Sequence, residues 1–175
     1  MNAFTTRPDA TEYAPGFGMY LALVPKGDLR EVLAAQLAES LELLSGIPAS
    51  AAVAVHPPYT WTLKQVVGHI TDADRVMGYR ILWMARLGDS PLPGFDENGF
   101  MGAADFNRWP LAELVEEFAH VRRANLDLLN HLSEEAWTRG GAVSDHPATV
   151  RAIACVMAGH AAHHLEILRS RLNLH

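Results

Sequence analysis

Two histidines lie one helical turn apart near the end of the chain, in a segment whose pattern is that of a buried helix. His160 and His164 fall in an apolar stretch, residues 150–172, that contains no proline. They share one helical stripe with apolar side chains at steps of three and four residues, namely Ile153, Met157 and Leu168. Two imidazoles on that stripe would each cost about 2–7 kcal/mol if buried without partners.

Residues four apart on a helix point in nearly the same direction, so both rings can reach a common point. A divalent metal would satisfy them if a third ligand came from elsewhere, and buried hydrogen bonds are the alternative. His69 offers a third nitrogen, because it lies at the edge of the core-facing stripe of another predicted helix. Taken alone it would more commonly be a hydrogen-bonded core histidine. Together, His69, His160 and His164 would make a three-histidine site with open coordination positions.

Three imidazoles suit zinc, nickel, iron or copper, and of these we favour zinc or nickel. Two further residues are candidate catalytic groups. His163 could carry protons beside the metal, or it could simply be a partly exposed residue on the helix flank. Asp72, three residues after His69, could orient a ligand ring or act as a base, or it could pair with a nearby arginine. Arg80 is either part of a buried ion pair or an anchor for an anionic substrate.

The elements that must position these residues are four long predicted helices. Capping residues and apolar periodicity place them at about 29–44, 63–87, 111–131 and 150–172. No strand is convincing, so we predict an all-α, antiparallel four-helix bundle with a long connection, residues 88–109, between helices 2 and 3. Residues 1–27 are predicted to form an irregular lead-in whose aromatic side chains pack on the domain. Residues 28–175 then form a single bundle domain.

Composition narrows the possible functions and partners. The chain is 49% hydrophobic and 19% charged, with a formal net charge of -6 and no cluster of lysine or arginine. Nucleic acid is therefore not an expected partner. No stretch is suited to spanning a membrane, and no secretory signal is visible at the N-terminus. The single cysteine, Cys155, cannot form an internal disulfide, which is typical of a cytoplasmic protein.

The motifs resemble the DinB/YfiT-like family. The resemblance lies in Trp61–Arg75 with His69 inside it, in Arg80, in the segment Pro91–Asp96, and in Gly159–Leu165 with its histidines. It implies a four-helix bundle, commonly a homodimer, with a metal held by His69, His160 and His164. His164 is followed here by Leu165 and Glu166, where many relatives have arginine and glycine.

The resemblance also implies a metal-dependent enzyme acting on a small molecule. One expected activity is the transfer of a low-molecular-weight thiol, of the bacillithiol or mycothiol type, to an electrophile. In that reaction the metal would bind the sulfur and lower its pKa. Metal-assisted hydrolysis, with Asp72 or His163 as the proton carrier, is the alternative on the same scaffold. A non-catalytic, stress-related metal-binding protein is the alternative from a different class.

Overall fold

The computed structural model describes residues 3–88 and 91–172, and these residues are mostly helical. The α-helices, in chain order, are α1 (Gly18–Leu21), α2 (Leu29–Ser45), α3 (Ala49–Ala52), α4 (Leu63–Leu87), α5 (Glu97–Ala103), α6 (Leu111–Asn130), α7 (Glu134–Thr138) and α8 (Val150–Leu172). Short 3-10 turns lie at Ala3–Thr5, Pro15–Phe17 and Phe106–Arg108. The long helices α2, α4, α6 and α8 form the predicted four-helix bundle. None of the described helices has the length and apolarity needed to cross a membrane.

Local capping chemistry sets where the long helices begin, as the sequence predicted. Asp28 accepts a hydrogen bond from the backbone N–H of Arg30 at the start of α2. Thr62 and Gln65 form a reciprocal capping box at the start of α4. The Thr149 hydroxyl accepts a hydrogen bond from the backbone N–H of residue 152 in the first turn of α8. Each helix start is determined by residues close to it in sequence and needs no contact with a distant part of the chain.

The bundle packs α4 against α6 and α8, and α2 against the same two helices. Helices α4 and α8 are antiparallel. Leu63 at the start of α4 shares a buried cluster with Leu168 at the end of α8, whereas Met84 at the end of α4 lies in a cluster with Ile153 near the start of α8. Helices α2 and α6 are antiparallel by the same criterion, so these two pairs have the expected direction.

The other two neighbouring pairs run parallel, which differs from a bundle with only antiparallel neighbours. Gly68 of α4 lies against Phe106, just before α6, and Gly78 lies against Asn125 far along α6. Gln36 of α2 donates a hydrogen bond to the backbone carbonyl of residue 158, and Glu39 pairs with Arg169, so α2 and α8 also run together. Apolar periodicity does not encode the direction of a helix relative to its neighbour.

This parallel arrangement explains the long connection between α4 and α6. The 25 residues of α4 span about 37 Å, and the chain must return over that length before α6 can begin beside α4. The end of the return is fixed at the start of α4, where the Thr62 hydroxyl donates to Asn107 over 2.7 Å and Lys64 Nζ donates to the Asn107 carbonyl. The predicted long connection is therefore a requirement of the topology.

A small sheet joins this connection to the segment before α8, and the sequence analysis did not predict it. Its strands are β1 (Pro91–Leu92), β2 (Gly140–Val143) and β3 (His146–Thr149). Strand β1 pairs parallel with β2, and β2 pairs antiparallel with β3. No strand is convincing in the sequence, because glycine and proline at 140–141 and 147 hide any alternation of apolar and polar residues. The turn between β2 and β3 places Ser144 and Asp145 at positive φ.

The sequence pattern predicts a buried face of α6 made of Leu111, Leu114, Phe118, Val121, Asn125, Leu128 and Leu132. The structure buries Leu114, Phe118, Asn125 and Leu132 as predicted, and the buried position shifts by one residue at two places. Arg122 and Leu129 are fully buried, whereas Val121 and Leu128 are only partly buried. The cause is Asp74, which is buried on α4 and accepts two hydrogen bonds from the Arg122 guanidinium, at 2.5 and 3.0 Å.

This ion pair belongs to a polar network that links all four long helices. Arg122 Nη1 donates to the side-chain oxygen of Gln36 over 2.8 Å, and Gln36 Nε2 donates to the carbonyl of Ala158 over 2.8 Å. Asn125 donates to the backbone carbonyl of Asp74 over 2.9 Å. A buried ion pair is stable only when its remaining groups are hydrogen-bonded, and this network supplies those bonds. It therefore fixes the register of the four helices.

The lead-in, residues 3–27, packs on the bundle. Glu12 accepts hydrogen bonds from Thr149 and Arg151 at the start of α8. Helix α1 follows and lies directly against α8, with the backbone of Tyr20 over Gly159. A Cβ atom added at Gly159 would lie 2.1 Å from the Tyr20 carbonyl oxygen, so only glycine permits this approach.

We expect Gly159→Ala to lower the free energy of unfolding by about 1–3 kcal/mol, because the methyl group must displace the α1 backbone. Urea denaturation followed by circular dichroism measures this change. Gly102→Ala is the matched control, since nothing lies within 4 Å of a Cβ at Gly102 in α5. The control should lose no stability, because alanine favours helix more than glycine does. Equal stability of the two variants would contradict the close approach of α1 and α8.

Candidate metal centre

The antiparallel crossing of α4 and α8 brings three histidine rings together inside the bundle. His69 comes from α4, and His160 and His164 come from successive turns of α8. The Nε2 atom of His160 lies 2.9 Å from Nε2 of His69 and 3.2 Å from Nε2 of His164. One ligand atom from each ring lies within 4.8 Å of the other two. The structure therefore brings together the three histidines that the sequence selected.

These three nitrogens cannot satisfy one another by hydrogen bonding. A neutral imidazole nitrogen carries either one proton or one lone pair, so Nε2 of His160 can bond to only one of its two neighbours. A metal with Zn–N distances of about 2.0–2.1 Å in tetrahedral geometry would hold two ligand nitrogens about 3.3 Å apart. The two separations from Nε2 of His160, 2.9 and 3.2 Å, are close to that value. The donor set and its spacing thus fit a divalent metal with further positions open.

The charge state of the rings also suits metal binding, which requires neutral imidazole. Burial, and after it the neighbouring His69, lowers the pKa of His160 to about 3. Burial lowers the pKa of His164 to about 2, with His160 as the second cause. Burial also lowers the pKa of His69. All three rings are therefore uncharged at neutral pH and have a lone pair to donate.

Aromatic side chains hold the rings in place. Trp61 packs on His69 with ring centroids 5.0 Å apart, and Phe95 stacks nearly parallel to His69 at 6.2 Å. Tyr20 of α1 meets His160 edge-on at 5.5 Å. Nδ1 of His160 is buried and has no hydrogen-bond partner among the described residues. The orientation of that ring depends on packing rather than on a second hydrogen bond.

A cavity of about 440 Å³ opens beside the three histidines. Its walls come from α1, α4, α8, the α4–α6 connection and the β2–β3 turn. The lining includes several residues that the sequence analysis did not select for the site: Phe17, Tyr20, Met77, Phe95, Glu97, Ser144, His146 and Val156. Most are single residues on separate elements, and no spacing in the sequence relates them to one another.

His163 lies at the cavity, where the sequence analysis placed it as a possible proton carrier. It is partly buried, and its ring is 5.1 Å from that of His164 and 5.7 Å from that of Tyr20. Because His164 and not His163 faces His69, the choice of His164 for the ligand set agrees with the geometry.

Asp72 does not reach this cavity. Its carboxylate accepts a hydrogen bond from Arg75 over 3.2 Å, on the side of α4 that faces Glu117 of α6. Burial raises the pKa of Asp72, and Arg75 opposes that rise. The predicted catalytic role for Asp72 therefore has no support from its position, and the alternative, a flank carboxylate paired to arginine, describes its contacts. A position three residues after His69 turns toward α6, away from α8.

Arg80 is buried and lines the same cavity as His69, Met77 and Val156. Its Nη2 atom donates to the Pro93 carbonyl over 2.9 Å. The favoured prediction, a buried ion pair, does not occur within the part of the chain that the structure describes. Cys155 lies in the core, where burial raises the pKa of its thiol, and it does not line the cavity.

Solved structures with the same fold include a metal-dependent protein and a thiol-dependent one. YfiT from Bacillus subtilis, described as a probable metal-dependent hydrolase with an unusual four-helix bundle topology, is 16% identical over the whole of both chains, with a TM-score of 0.67. The mycothiol-dependent maleylpyruvate isomerase is 14% identical over 85% of this chain and 59% of its own, with a TM-score of 0.61.

No curated protein sequence gave a significant match. The sequence profile of the DinB superfamily matches residues 33–168, which include α4, α6 and most of α2 and α8. That range contains all three histidines of the candidate metal centre and covers well over half of the chain. The chain therefore belongs to the DinB superfamily.

Proposed function

We propose that this protein is a metal-dependent enzyme in which His69, His160 and His164 hold one divalent ion, zinc or nickel, and the cavity beside them receives a small molecule. The observation that carries the proposal is the convergence of three uncharged imidazole nitrogens that cannot satisfy one another. When bound, the metal supplies a Lewis acid that lowers the pKa of a sulfhydryl or a water at an open position.

We further propose that the nucleophile is a low-molecular-weight thiol and that the reaction transfers it to an electrophile. Asp72, the carboxylate expected to activate water, pairs with Arg75 instead of facing the cavity. A thiol, with a pKa near 8.5, needs far less help to ionise than water does. The fold shared with a mycothiol-dependent isomerase is consistent with this choice.

The side chains of the cavity define how such a reaction could proceed. In this proposal His163, which lines the cavity, accepts the sulfhydryl proton at a ring nitrogen and returns a proton to the product. Phe17, Phe95 and Val156 form apolar walls that exclude water and orient the electrophile. Tyr20 and Trp61 keep the ligand rings in position through their packing on His160 and His69.

Hydrolysis is the second candidate. Glu97 lines the cavity and is near enough to His69 to affect its pKa, so a carboxylate other than Asp72 could act as a base toward water. The description of YfiT as a probable metal-dependent hydrolase points in the same direction.

Metal content tests the site itself. We expect protein purified without added metal to carry about one equivalent, and His69→Ala and His164→Ala to carry almost none, because two imidazoles bind far more weakly than three. Elemental analysis by mass spectrometry measures this content. His120→Ala is the control, since His120 is exposed on α6 and outside the cavity. Unchanged metal content in both site variants would refute the proposed three-histidine metal centre.

Activity separates the candidate reactions. We expect turnover of a panel of electrophiles, such as monochlorobimane, to require both metal and an added thiol, and to fall at least a hundredfold in His160→Ala. In His163→Gln we expect a tenfold to hundredfold loss with metal content retained. Turnover of an ester panel without thiol would favour hydrolysis. The absence of turnover in both panels, with metal bound, would favour a non-catalytic protein.

The lowered pKa values make the stability of the metal-free protein sensitive to acid. An unfolded histidine takes up a proton near pH 6.5, whereas His160 and His164 in the fold resist protonation until about pH 3 and 2. Stability is therefore fully present above pH 6.5 and is lost progressively as pH falls below it. At pH 5 each ring should cost on the order of 2 kcal/mol.

Urea unfolding of chelated protein at pH 7.5 and pH 5 measures this loss. His164→Gln, which cannot titrate in this range, should show a smaller loss between the two pH values than the parent. Identical losses would mean that the ring of His164 is not held neutral by burial.

A further inference from the structure

Arg80 is a buried cation without a counter-ion. Only 6% of the residue is exposed, and within the described chain no carboxylate lies within ion-pair distance of its guanidinium. Its single hydrogen bond goes to the uncharged Pro93 carbonyl. A guanidinium has five N–H donors and stays charged, so most of its bonding capacity is unused.

The other buried arginines among the described residues make more hydrogen bonds than Arg80. Arg122 has two bonds to Asp74 and one to Gln36. Within the same residues Arg171 has no carboxylate partner and its Nη1 atom is buried without a bond, but its Nη2 atom donates to two backbone carbonyls, of Ala54 and Trp61. A charge buried without a partner is costly, so a ligand that brings the opposite charge to Arg80 would be stabilised there.

The free donors of Arg80 face open space rather than sealed core. None of its nitrogens is among the described buried atoms that have no partner, so those without a bond retain some accessible surface. Arg80 lines two spaces, the cavity of the metal centre and a shallower pocket that it shares with Arg75 and Tyr79. Side chains on a helix lean toward its N-terminus, which tilts Arg80 toward Met77 and Ala73 in the cavity wall.

The cavity is continuous from the three histidines to Arg80. Ala73 and Met77 of α4 lie between His69 and Arg80 in sequence, and both line it together with Val156 of α8. Eleven residues of helix separate the Cα atoms of His69 and Arg80 by about 16 Å. The long side chain of Arg80 shortens that gap. A molecule bound here would have an apolar body between two polar ends.

The polar groups are distributed unequally along the cavity. Glu97 affects the pKa of both His69 and Tyr20, so it lies toward the histidine end. The Ser144 hydroxyl also lines the cavity and lies against Gly94, the residue after the Pro93 carbonyl that Arg80 contacts. A cation and a hydroxyl donor together match the acceptor oxygens of a carboxylate.

We propose that Arg80 binds the carboxylate of the substrate, which is a small monocarboxylic acid with an apolar body and its reacting group at the far end, near His69, His160 and His164. This proposal rests on the proposed function and deepens it by naming the substrate class. Arg80 fixes the orientation of the substrate, and the apolar walls select its length.

Binding of simple acids tests the proposal without any turnover. Purified full-length protein is titrated with hexanoate, butyrate and acetate, and with the uncharged hexanamide, using calorimetry or ligand-observed NMR, both as isolated and after chelation. We expect hexanoate to bind at least tenfold more tightly than hexanamide, and affinity to rise about fourfold per methylene group. Equal binding of acid and amide by the wild-type protein would overturn the proposal.

Variants locate the anion site. Arg80→Met should reduce the preference for hexanoate over hexanamide to about one while hexanamide still binds, and Arg80→Lys should keep part of the preference. Arg75→Met is the matched control, because Arg75 lines only the shallower pocket of the two, and it should change nothing. Loss of the preference in Arg75→Met, or its persistence in folded Arg80→Met, would place the anion elsewhere and refute the role of Arg80.

Metal content separates this proposal from the proposed function. If Arg80 has the proposed role, the chelated protein also prefers the acid, and Arg80→Met keeps its metal. A protein that binds no metal but prefers hexanoate in an Arg80-dependent way would refute the metal centre and leave the anion site. A protein that binds metal through His69 but shows no preference for the acid would refute the anion site and leave the metal centre.

Discussion

The central constraint on this protein is that three ring nitrogens, each with room for only one proton or one bond, are turned toward the same point. Hydrogen bonds within the described residues do not resolve that arrangement, because His160 has two imidazole neighbours at bonding distance. His69 and His160 are buried and His164 is partly buried, so unsatisfied nitrogens there are costly. The empty cluster therefore weakens the packing of α4 against α8, and a cation at its centre would link the two helices.

The rest of the bundle keeps the rings at that separation. Asp74 lies five residues after His69 on α4, and Ala158 lies two residues before His160 on α8. The chain of bonds from Asp74 through Arg122 and Gln36 to Ala158 therefore crosses all four helices beside the metal centre. A sliding helix would break a buried ion pair, whereas apolar contacts alone would tolerate a shift. The aromatic packing of Trp61 and Tyr20 then sets the tilt of the rings.

Sequence reasoning was most successful where the determinants are local. The Thr62–Gln65 capping box and the His160–His164 spacing each depend on a few adjacent residues, and both appear in the structure. His69 joined that pair because it lies on the core-facing stripe of another helix, and the family resemblance then selected the same three residues. Periodicity alone could not predict that Arg122 is buried in place of Val121, because its partner Asp74 lies on another helix.

Other features escaped prediction for the same reason. The β2–β3 hairpin is short, rich in glycine and completed by a strand from a distant segment, so neither half has a recognisable pattern. The direction of α6 relative to α4 and the meeting of Tyr20, Glu97 and Ser144 at one cavity are properties of the assembled chain. The position of Asp72 shows the limit of spacing arguments, because a residue one turn from a ligand can still face a different neighbour.

Because α4 and α6 run parallel, the pocket is built from two kinds of segment: the helices that carry the histidines, and the connection between α4 and α6. The chain must return along the outside of the bundle before α6 can begin. This α4–α6 connection passes over the mouth of the pocket and lines it with Gly94, Phe95 and Glu97. Few of its side chains, Leu92 and Met101 among them, belong to the core. This connection can therefore change in sequence without disturbing the histidine-bearing helices, so the shape of the pocket mouth and the spacing of the three rings depend on different segments of the chain.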